Sequence, residues 1–228
     1  MTRIKICGVK HAETLRLLAA LDVDYVGFVF APSKRQISAE TAGVLLGEVP
    51  EHPPAVGVFV NPTLPELEAV LELAPLSVIQ LHGQESPAFC QEVQERFSLP
   101  VWKALAVGKS GLDDHSTDEC TDIATYREVT QGLLFDTYDP AQAGGTGKRF
   151  SWEQIPQLIQ ATAPLPCIIA GGIHSGNVRE LIENYSPAVI DVSSGVETEG
   201  VKDAAKIREF VERVREHDGN KHNKTAGA

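Results

Sequence analysis

The residues of this chain best suited to chemistry surround one apolar stretch and the glycine-rich loop behind it. The run Leu133–Phe135 ends in the carboxylate of Asp136, and Gly144, Gly145 and Gly147 follow. A carboxylate at the end of a buried strand is costly to bury, so it should be paired, solvated or active in proton transfer. Glycines let backbone N–H groups approach an anion, and a helix that begins behind them adds a favourable dipole. The stretch therefore predicts a proton donor beside a phosphate site.

Cys7 is the candidate for a second proton-transfer group. It follows a short apolar run and lies on the same face of a predicted strand as Lys5, by the two-residue period of strands. A nearby ammonium group lowers the pKa of a thiol and favours a thiolate base. The alternative is a small buried hydrophobic residue, because free cysteines are commonly buried and inert.

Polar and small residues follow most of the other apolar runs. Arg35 offers a planar bidentate donor for a carboxylate, and a solvated loop residue is the alternative. His82 suits either loop bracing or substrate contact, and Asp136 itself also suits a helix cap or a loop brace. Asp191 suits a substrate hydroxyl or a pair with an interior lysine. Small residues suited to phosphate binding, or simply to turns, end two further runs: Gly171, Gly172, Ser193 and Ser194.

The elements that must position these residues repeat a pattern of strand and helix. Eight apolar runs are predicted as strands, over residues 3–9, 25–30, 55–60, 78–83, 101–107, 133–136, 167–172 and 188–195. Near-continuous apolar runs are typical of parallel strands that are covered on both faces. The length of 228 residues is close to the roughly 250 residues of a (β/α)8 barrel. We predict an α/β fold, a single (β/α)8 TIM barrel over residues 1–217, with a doubly wound open sheet as the alternative.

Capping residues predict where several helices begin. Ser38 caps the second helix, and Thr63 with Glu66 forms a capping box for the third. Ser175 is predicted to cap the seventh helix. In the helix predicted from residue 152 to residue 161, Pro156 must lie in the first turn or kink the helix.

Two polar segments lack a clear apolar pattern. Residues 108–129 are acidic and are predicted to form a loop and a short helix over 118–128, with the charges on a solvated face rather than at a metal site. The last helix is predicted over residues 202–215. The polar residues 218–228 are predicted to form a disordered tail.

Composition excludes several classes of function. The net charge of −11 argues against nucleic acid as a partner, because a basic face is the usual footprint. No apolar stretch is long enough to cross a bilayer, and the first residues lack the apolar segment of a signal peptide, so we expect a cytoplasmic protein without a membrane partner. A monomer is expected because no large apolar surface stripe stands out. The cysteines are scattered without a C-x-x-C pair, which predicts no zinc site and reduced thiols: Cys7, Cys90, Cys120 and Cys167.

The polar motifs occur in one order along nearly the whole chain. They are Lys5-Ile6-Cys7-Gly8, Gly27-Phe28-Val29-Phe30, Ser33-Lys34-Arg35, Val58-Phe59-Val60-Asn61, Gln80-Leu81-His82-Gly83, Asp136-Thr137, Gly144-Gly145-Thr146-Gly147, Ala170-Gly171-Gly172, Asn177-Val178 and Asp191-Val192-Ser193-Ser194-Gly195-Val196-Glu197. In this set the chain resembles the phosphoribosylanthranilate isomerase family of tryptophan biosynthesis. It departs from the family at Lys34, where a proline is common, and over residues 108–129 and in the tail.

The resemblance implies an Amadori rearrangement of N-(5-phosphoribosyl)anthranilate. Asp136 would be the general acid that opens the ribose ring, and Cys7 the general base that removes the C2′ proton. Arg35 would hold the anthranilate carboxylate, and amides around Gly145, Gly172, Ser193 and Ser194 would hold the phosphate. The resemblance implies no metal and no cofactor, because the iminium intermediate is itself the electron sink.

Two other classes of protein remain as alternatives. Another phosphosugar enzyme on the same barrel, such as indole-glycerol-phosphate synthase or a sugar-phosphate isomerase or epimerase, would share the fold and the phosphate loops. The synthase would be expected to use lysine and glutamate as its acid–base groups rather than the pair Cys7 and Asp136. The second alternative is a phospholigand-binding protein without catalysis, in which Cys7→Ala would change nothing measurable.

Overall fold

Eight parallel strands close into a barrel in the computed structural model of the protein, which describes residues 1–107, 123–137 and 151–225. Neighbouring strands follow chain order, and the last returns to the first through the pairs Arg3↔Val189 and Lys5↔Asp191. The predicted barrel is therefore confirmed, and the open sheet is excluded. The barrel strands are β1 Arg3–Cys7, β2 Tyr25–Val29, β3 Ala55–Phe59, β4 Val78–Leu81, β5 Val101–Val107, β6 Gly132–Thr137, β7 Cys167–Ile169 and β8 Val189–Val192.

A helix follows each barrel strand and covers the outside of the sheet. The helices are α1 Ala12–Ala20, α2 Ala39–Glu48, α3 Leu64–Leu73, α4 Pro87–Phe97, α5 Ile123–Val129, α6 Ile155–Thr162, α7 Val178–Tyr185 and α8 Ala204–Thr225. Two short strands, β9 Glu197–Thr198 and β10 Val201–Lys202, pair antiparallel between β8 and α8. None of the described helices is both long and apolar enough to cross a membrane.

Most of the predicted helix starts are confirmed. The hydroxyl of Ser38 accepts a hydrogen bond from the amide of Thr41, and Thr63 forms the predicted capping box with Glu66. A short 3-10 turn, Trp152–Gln154, precedes α6, so Pro156 lies in the first turn of that helix, as one of the two predicted alternatives required. The predicted short helix over 118–128 is observed from residue 123 onward, and its first residues lie outside the described part of the chain.

Two helix boundaries differ from the prediction. Asn177, not Ser175, precedes the first residue of α7; the hydroxyl of Ser175 instead donates to Glu209 on α8. The last helix continues to Thr225, into the segment from residue 218 that was predicted to be disordered. That prediction rested on the lack of apolar positions, but lysine, glutamate and arginine have high intrinsic helix propensity without them.

Side chains alternate between the barrel interior and the layer beneath the helices. On β1, Ile4 and Ile6 point outward into the larger core, as the period-2 pattern predicts. The interior is filled by a second apolar cluster: Val56, Val78, Trp102, Ala104, Leu134, Ile168, Ala170 and Val189. Tyr25 and Trp102 pack in a T-shaped pair, and the guanidinium of Arg3 lies 5.8 Å from the centre of the Tyr25 ring. The barrel is therefore a packed core rather than a pore.

Arg215 on α8 joins the end of the chain to its beginning. Its guanidinium donates to the carbonyl oxygens of Thr2 and Asp22 at 2.7 and 2.8 Å, and to Oδ2 of Asp24 at 2.7 Å. The same Asp24 oxygen accepts from the amide of Ile4 on β1 at 2.7 Å. The Arg215 side chain is 15% exposed, so these bonds are shielded from water. The contact fixes the last helix over the seam where β8 meets β1.

Arg215→Ala is therefore expected to lower the free energy of unfolding by about 1.5–3 kcal/mol, the range for hydrogen bonds to charged groups. Arg213→Ala is the matched control, because Arg213 on the same helix forms an exposed pair with Glu209, one turn away. It should cost no more than about 0.5 kcal/mol. Urea unfolding followed by circular dichroism measures both, and equal losses would contradict the role of Arg215 at the seam.

Candidate active site

Inward-facing positions change from apolar to polar at the carboxyl ends of the strands. Lys5 and Cys7 follow Arg3 on the inner face of β1, and Asp191 follows Val189 on β8. Asp136 follows the interior Leu134 on β6. Because parallel strands all end at the same rim, these side chains converge at one end of the barrel. His82 directly follows β4 at the same rim, so the structure brings together the predicted site residues Cys7, Asp136, Asp191 and His82, with Lys5 beside them.

The first half of the site is a buried cluster of Lys5, Cys7 and Asp191. Lys5 is fully buried, its ammonium group donates to Oδ2 of Asp191 at 2.8 Å, and its charge acts on the Cys7 thiol. Oδ1 of Asp191 is buried and has no hydrogen-bond partner among the residues that the structure describes. Both alternatives for Asp191 are therefore compatible: one oxygen pairs with an interior lysine, and the other is available to a substrate hydroxyl.

Burial raises the pKa of the Cys7 thiol. The positive charge of Lys5 lowers that pKa and the negative charge of Asp191 raises it again, so the net shift is upward. The pKa of Cys7 is thus raised where Lys5 alone was expected to lower it, because burial costs the anion more than Lys5 returns. Burial also lowers the pKa of Lys5, but the charges and hydrogen bonds of Asp191 and Cys7 outweigh it, and the pKa of Lys5 is raised. Lys5 is thus a stable cation, and its positive charge acts on both the Cys7 thiol and the Asp191 carboxylate.

This arrangement predicts opposite shifts in two variants. Lys5→Met removes the cation and should move the pH profile of Cys7 alkylation to higher pH. Asp191→Asn removes the anion and should move the profile to lower pH. Iodoacetamide labelling followed by mass spectrometry measures both profiles. Cys90 and Cys167 serve as internal references, because burial raises their pKa values to about 11 and about 12. A shift in the same direction in both variants would contradict the cluster.

The second half of the site pairs Asp136 with His82. Nε2 of His82 lies 3.7 Å from Oδ2 of Asp136, and Nδ1 of His82 lies 3.0 Å from Nε2 of Gln80. The side chains of His82 and Asp136 are 28% and 19% exposed, so both reach the solvent-accessible mouth of the barrel. One ring nitrogen of His82 contacts Gln80 and the other faces the Asp136 carboxylate. His82 is therefore both braced by a neighbouring residue and directed into the site, as the two predicted alternatives had it.

The loops after β7 and β8 form one continuous surface beside Cys7. Gly171 and Gly172 have φ angles of 85° and 63°, which favour glycine, and Nδ2 of the Asn177 side chain donates to the Gly172 carbonyl. The hydroxyl of Ser193 donates to the Cys7 carbonyl at 3.0 Å, and Ser194 begins a short 3-10 turn. This is where barrels of this kind commonly bind phosphate. The predicted phosphate residues Gly144 and Gly145 lie outside the described residues.

A β-carbon on Gly195 would overlap the carbonyl oxygen of Ile173. The loop after β8 therefore depends on glycine for its close approach to the loop after β7. Any larger residue there would push the two loops apart.

Arg35 is not a solvated loop residue. It is only 9% exposed, and its Nε and Nη2 donate to the two carboxylate oxygens of Glu197 at 2.7 and 2.8 Å. Lys202 donates to the same carboxylate at 2.6 Å. Burial raises the pKa of Glu197, but the hydrogen bonds from Arg35 and Lys202 outweigh it and hold that pKa below its usual value. Burial lowers the pKa of Lys202.

Two buried carboxylates near the site were not predicted as site residues from the sequence. Glu197 ends the motif that begins at Asp191, and its position as a polar residue after a barrel strand could have indicated a role. Glu85 pairs with Lys103 at 2.7 Å and accepts from the amides of Asn61 and Gly83. It thereby ties the loops after β3 and β4 to β5, next to His82. Lys103 is a charged residue within an otherwise apolar strand, and a buried lysine of this kind indicates a carboxylate partner.

No set of three or more histidine, cysteine, aspartate or glutamate side chains is gathered for a metal ion in the described ranges. The free thiols within them are Cys7, Cys90 and Cys167, all buried. Cys90 and Cys167 lie in the apolar layer between the barrel and the helices. Cys7 is therefore the described thiol that reaches the site.

Comparison with known proteins gives one family. Residues 4–213 match the family described as N-(5'phosphoribosyl)anthranilate (PRA) isomerase. The chain is 64% identical over 223 residues to the N-(5'-phosphoribosyl)anthranilate isomerase of Brevibacillus brevis, covering 98% of each chain.

Solved structures agree with the sequence comparison. One is a monomeric form of the dimeric phosphoribosylanthranilate isomerase of Thermotoga maritima, with a TM-score of 0.77 and 34% identity, covering 94% of this chain and 99% of that one. Another is a phosphoribosylanthranilate isomerase in complex with reduced 1-(o-carboxyphenylamino)-1-deoxyribulose 5-phosphate, with a TM-score of 0.76 and 33% identity over the same shares. The protein is therefore an enzyme of the phosphoribosylanthranilate isomerase family.

Proposed function

We propose that this protein converts N-(5-phosphoribosyl)anthranilate into 1-(2-carboxyphenylamino)-1-deoxyribulose 5-phosphate in tryptophan biosynthesis. The observation that carries the proposal is the placement of Cys7 and Asp136 on the inner faces of β1 and β6 at the same rim. These strands are separated by β7 and β8 around the barrel, so the two groups face each other across its mouth. One ribose ring held between them would have an acid on one side and a base on the other.

The acid half of the reaction is assigned to Asp136. The protonated carboxyl group donates its proton to the ribose ring oxygen, the bond from C1′ to that oxygen breaks, and the anthranilate nitrogen supplies its electron pair to form an iminium ion. His82, 3.7 Å from the carboxylate, is placed to contact the same ring oxygen or its new hydroxyl group. A positioned general acid of this kind typically supplies roughly 10²–10⁴-fold in rate.

The base half is assigned to Cys7. Its sulfur takes the proton from C2′, and the electron pair of that bond moves to the iminium, giving an enolamine that tautomerises to the ketose product. No metal or cofactor takes part, because the iminium accepts the electrons. Lys5 stabilises the thiolate through its charge, and Oδ1 of Asp191 accepts a hydrogen bond from a substrate hydroxyl. A buried oxygen without a partner is costly, so a ligand hydroxyl there is favourable.

The remaining substrate groups are assigned to the loops around Cys7. Backbone amides near Gly171, Gly172, Ser193 and Ser194 hold the phosphate, with Gly144 and Gly145 as their predicted partners from the loop after β6. Arg35 holds the anthranilate carboxylate. A β-carbon on Gly8 would lie 2.6 Å from Cδ of Arg35, so the stem of this arginine lies against the residue after Cys7. A carboxylate on Arg35 thus brings the anthranilate ring beside the base.

The rival functions are less well supported. Indole-glycerol-phosphate synthase was expected to present lysine and glutamate as its acid–base pair, but Lys5, Lys103 and Lys202, the buried lysines around the site, are each paired with a buried carboxylate. A binding protein without catalysis gives no reason for an ionisable thiol and a carboxylate to face each other across a phosphate site.

We also propose a cytoplasmic monomer. The large apolar residues that are clearly exposed in the described ranges are few, namely Met1, Val44, Val60, Leu73 and Val201. Light scattering during size-exclusion chromatography tests this, and the mass of a dimer would contradict it.

Growth of a bacterial strain that lacks phosphoribosylanthranilate isomerase tests the proposed function. Expression of the wild-type chain should restore growth without tryptophan, whereas Cys7→Ala at equal soluble expression should not. Failure of the wild-type chain to restore growth would contradict the proposal. Equal rescue by both chains would keep the activity and remove Cys7 from its role.

A further inference from the structure

Arg35 is held by contacts on two sides. Its aliphatic stem packs against Gly8, whose φ of 83° places the backbone where a β-carbon would collide with that stem. Its guanidinium is clamped by Glu197 through Nε and Nη2, in a geometry that fixes both the position and the plane of the group. An arginine without such a clamp has several rotatable bonds and loses rotamer entropy when a ligand orders it.

The clamp leaves one edge of the guanidinium for a ligand. A guanidinium has five N–H donors and two edges that match a carboxylate, the Nε–Nη2 edge and the Nη1–Nη2 edge. Glu197 takes the first edge. Among the described residues, no acceptor is bonded to Nη1 of Arg35. A second carboxylate can therefore bind end-on while Glu197 stays in place.

The charges of the cluster also favour an anion. Glu197 is shared by Arg35 and Lys202, so two cations surround one carboxylate and one positive charge remains uncompensated. Lys202 donates in addition to the carbonyl and hydroxyl of Ser193, and the Ser193 hydroxyl donates to the Cys7 carbonyl. The carboxylate of Glu197 thus connects Arg35 to the loop after β8 and to the strand that carries Cys7.

We propose that Glu197 is a positioning residue for substrate recognition: it fixes the guanidinium of Arg35 so that the Nη1–Nη2 edge receives the aromatic carboxylate of the substrate. The inference rests on the proposed function, which assigns the substrate carboxylate to Arg35. Glu197 itself contacts no substrate atom. It affects KM by positioning Arg35. Its effect on KM should therefore depend on Arg35, unlike the effect of an ordinary buried ion pair.

A double-mutant cycle tests the inference, with kcat and KM measured for wild-type protein, Glu197→Gln, Arg35→Ala and the double variant. Each single variant should raise KM about tenfold or more, as expected for the loss of a charge-assisted contact, and lower kcat by a smaller factor. In the Arg35→Ala background, Glu197→Gln should change KM by less than about twofold, because the group it orients is gone. A merely structural role would instead lower the fraction of active enzyme and leave KM unchanged.

Glu85→Gln is the matched control. Glu85 is an equally buried carboxylate paired with a lysine, but its partners are Lys103 and the loops after β3 and β4 rather than Arg35. Its kinetic effect should be the same factor in the wild-type and Arg35→Ala backgrounds. A full Glu197→Gln effect in the Arg35→Ala background, or a Glu197→Gln variant with the wild-type KM, would overturn the inference.

Arg35→Lys keeps the inference falsifiable if Glu197→Gln does not fold. Lysine preserves the charge but has one ammonium group and no second edge, so its KM should rise nearly as far as that of Arg35→Ala. A wild-type KM in Arg35→Lys would overturn the inference. The proposed function and the role of Glu197 fail in different ways. Wild-type protein that does not convert the substrate overturns the proposed function. Conversion with an unchanged KM in Arg35→Ala overturns only the role of Arg35 and Glu197.

Discussion

Asp136→Asn is expected to lower kcat by roughly 10²–10⁴-fold, with little change in KM. An amide of nearly the same shape fits between β6 and His82 but has no acidic proton to give to the ribose ring oxygen. Ring opening then depends on water or on His82. The side chain lies at the solvent-accessible rim, so the substitution leaves no buried charge without a partner.

The melting temperature of Asp136→Asn should accordingly stay near that of the wild-type protein, and this separates loss of chemistry from loss of fold. Steady-state kinetics with freshly prepared substrate measures the effect. A kcat within a few-fold of the wild-type value would assign the acid to another group, of which His82 is the nearest in the described part of the site.

Cys7→Ser is expected to reduce kcat by a similar factor of roughly 10²–10⁴. A serine hydroxyl is far less acidic than a thiol, so Lys5 cannot hold a useful fraction of it as the anion. Serine is close to cysteine in size and fits the same position beside Lys5, so the barrel should fold normally.

Cys90→Ser is the matched control for the base. Cys90 is a fully buried thiol on α4, in the apolar layer between the barrel and the helices, and has no role in the proposed mechanism. This variant should keep the wild-type kcat while losing some stability, because a hydroxyl group replaces a thiol in an apolar layer. Equal losses of turnover in the Cys7 and Cys90 variants would indicate a general effect of thiol removal and would contradict the assignment of Cys7.

The barrel could be predicted from the sequence because its strands are short apolar runs with breaks at their carboxyl ends. The placement of Cys7, Asp136 and Asp191 at one rim follows from that architecture alone, since all parallel strands end on the same side. The two-residue period of strands also predicted that Lys5 and Cys7 lie on the same face of β1, and the structure confirms this.

What could not be predicted depends on distances between segments far apart in the chain. The pKa of Cys7 depends on how deeply Lys5 and Asp191 are buried, and a strand pattern does not give the balance of burial and charge. Arg35 and Glu197 are separated by 162 positions, so their pairing is visible only in three dimensions. The predicted start of α7 was wrong because Ser175, a residue type that often caps helices, donates its hydroxyl hydrogen to Glu209 on α8 instead.

The most direct test is the loss of anthranilate-type fluorescence when the purified protein meets freshly made phosphoribosylanthranilate, with Cys7→Ala measured alongside. We expect a rapid decay with the wild-type protein and none above background with the variant, and a product with the same mass as the substrate. No decay with the wild-type protein would contradict the proposed reaction, and equal decay with both proteins would contradict the role of Cys7 as its base.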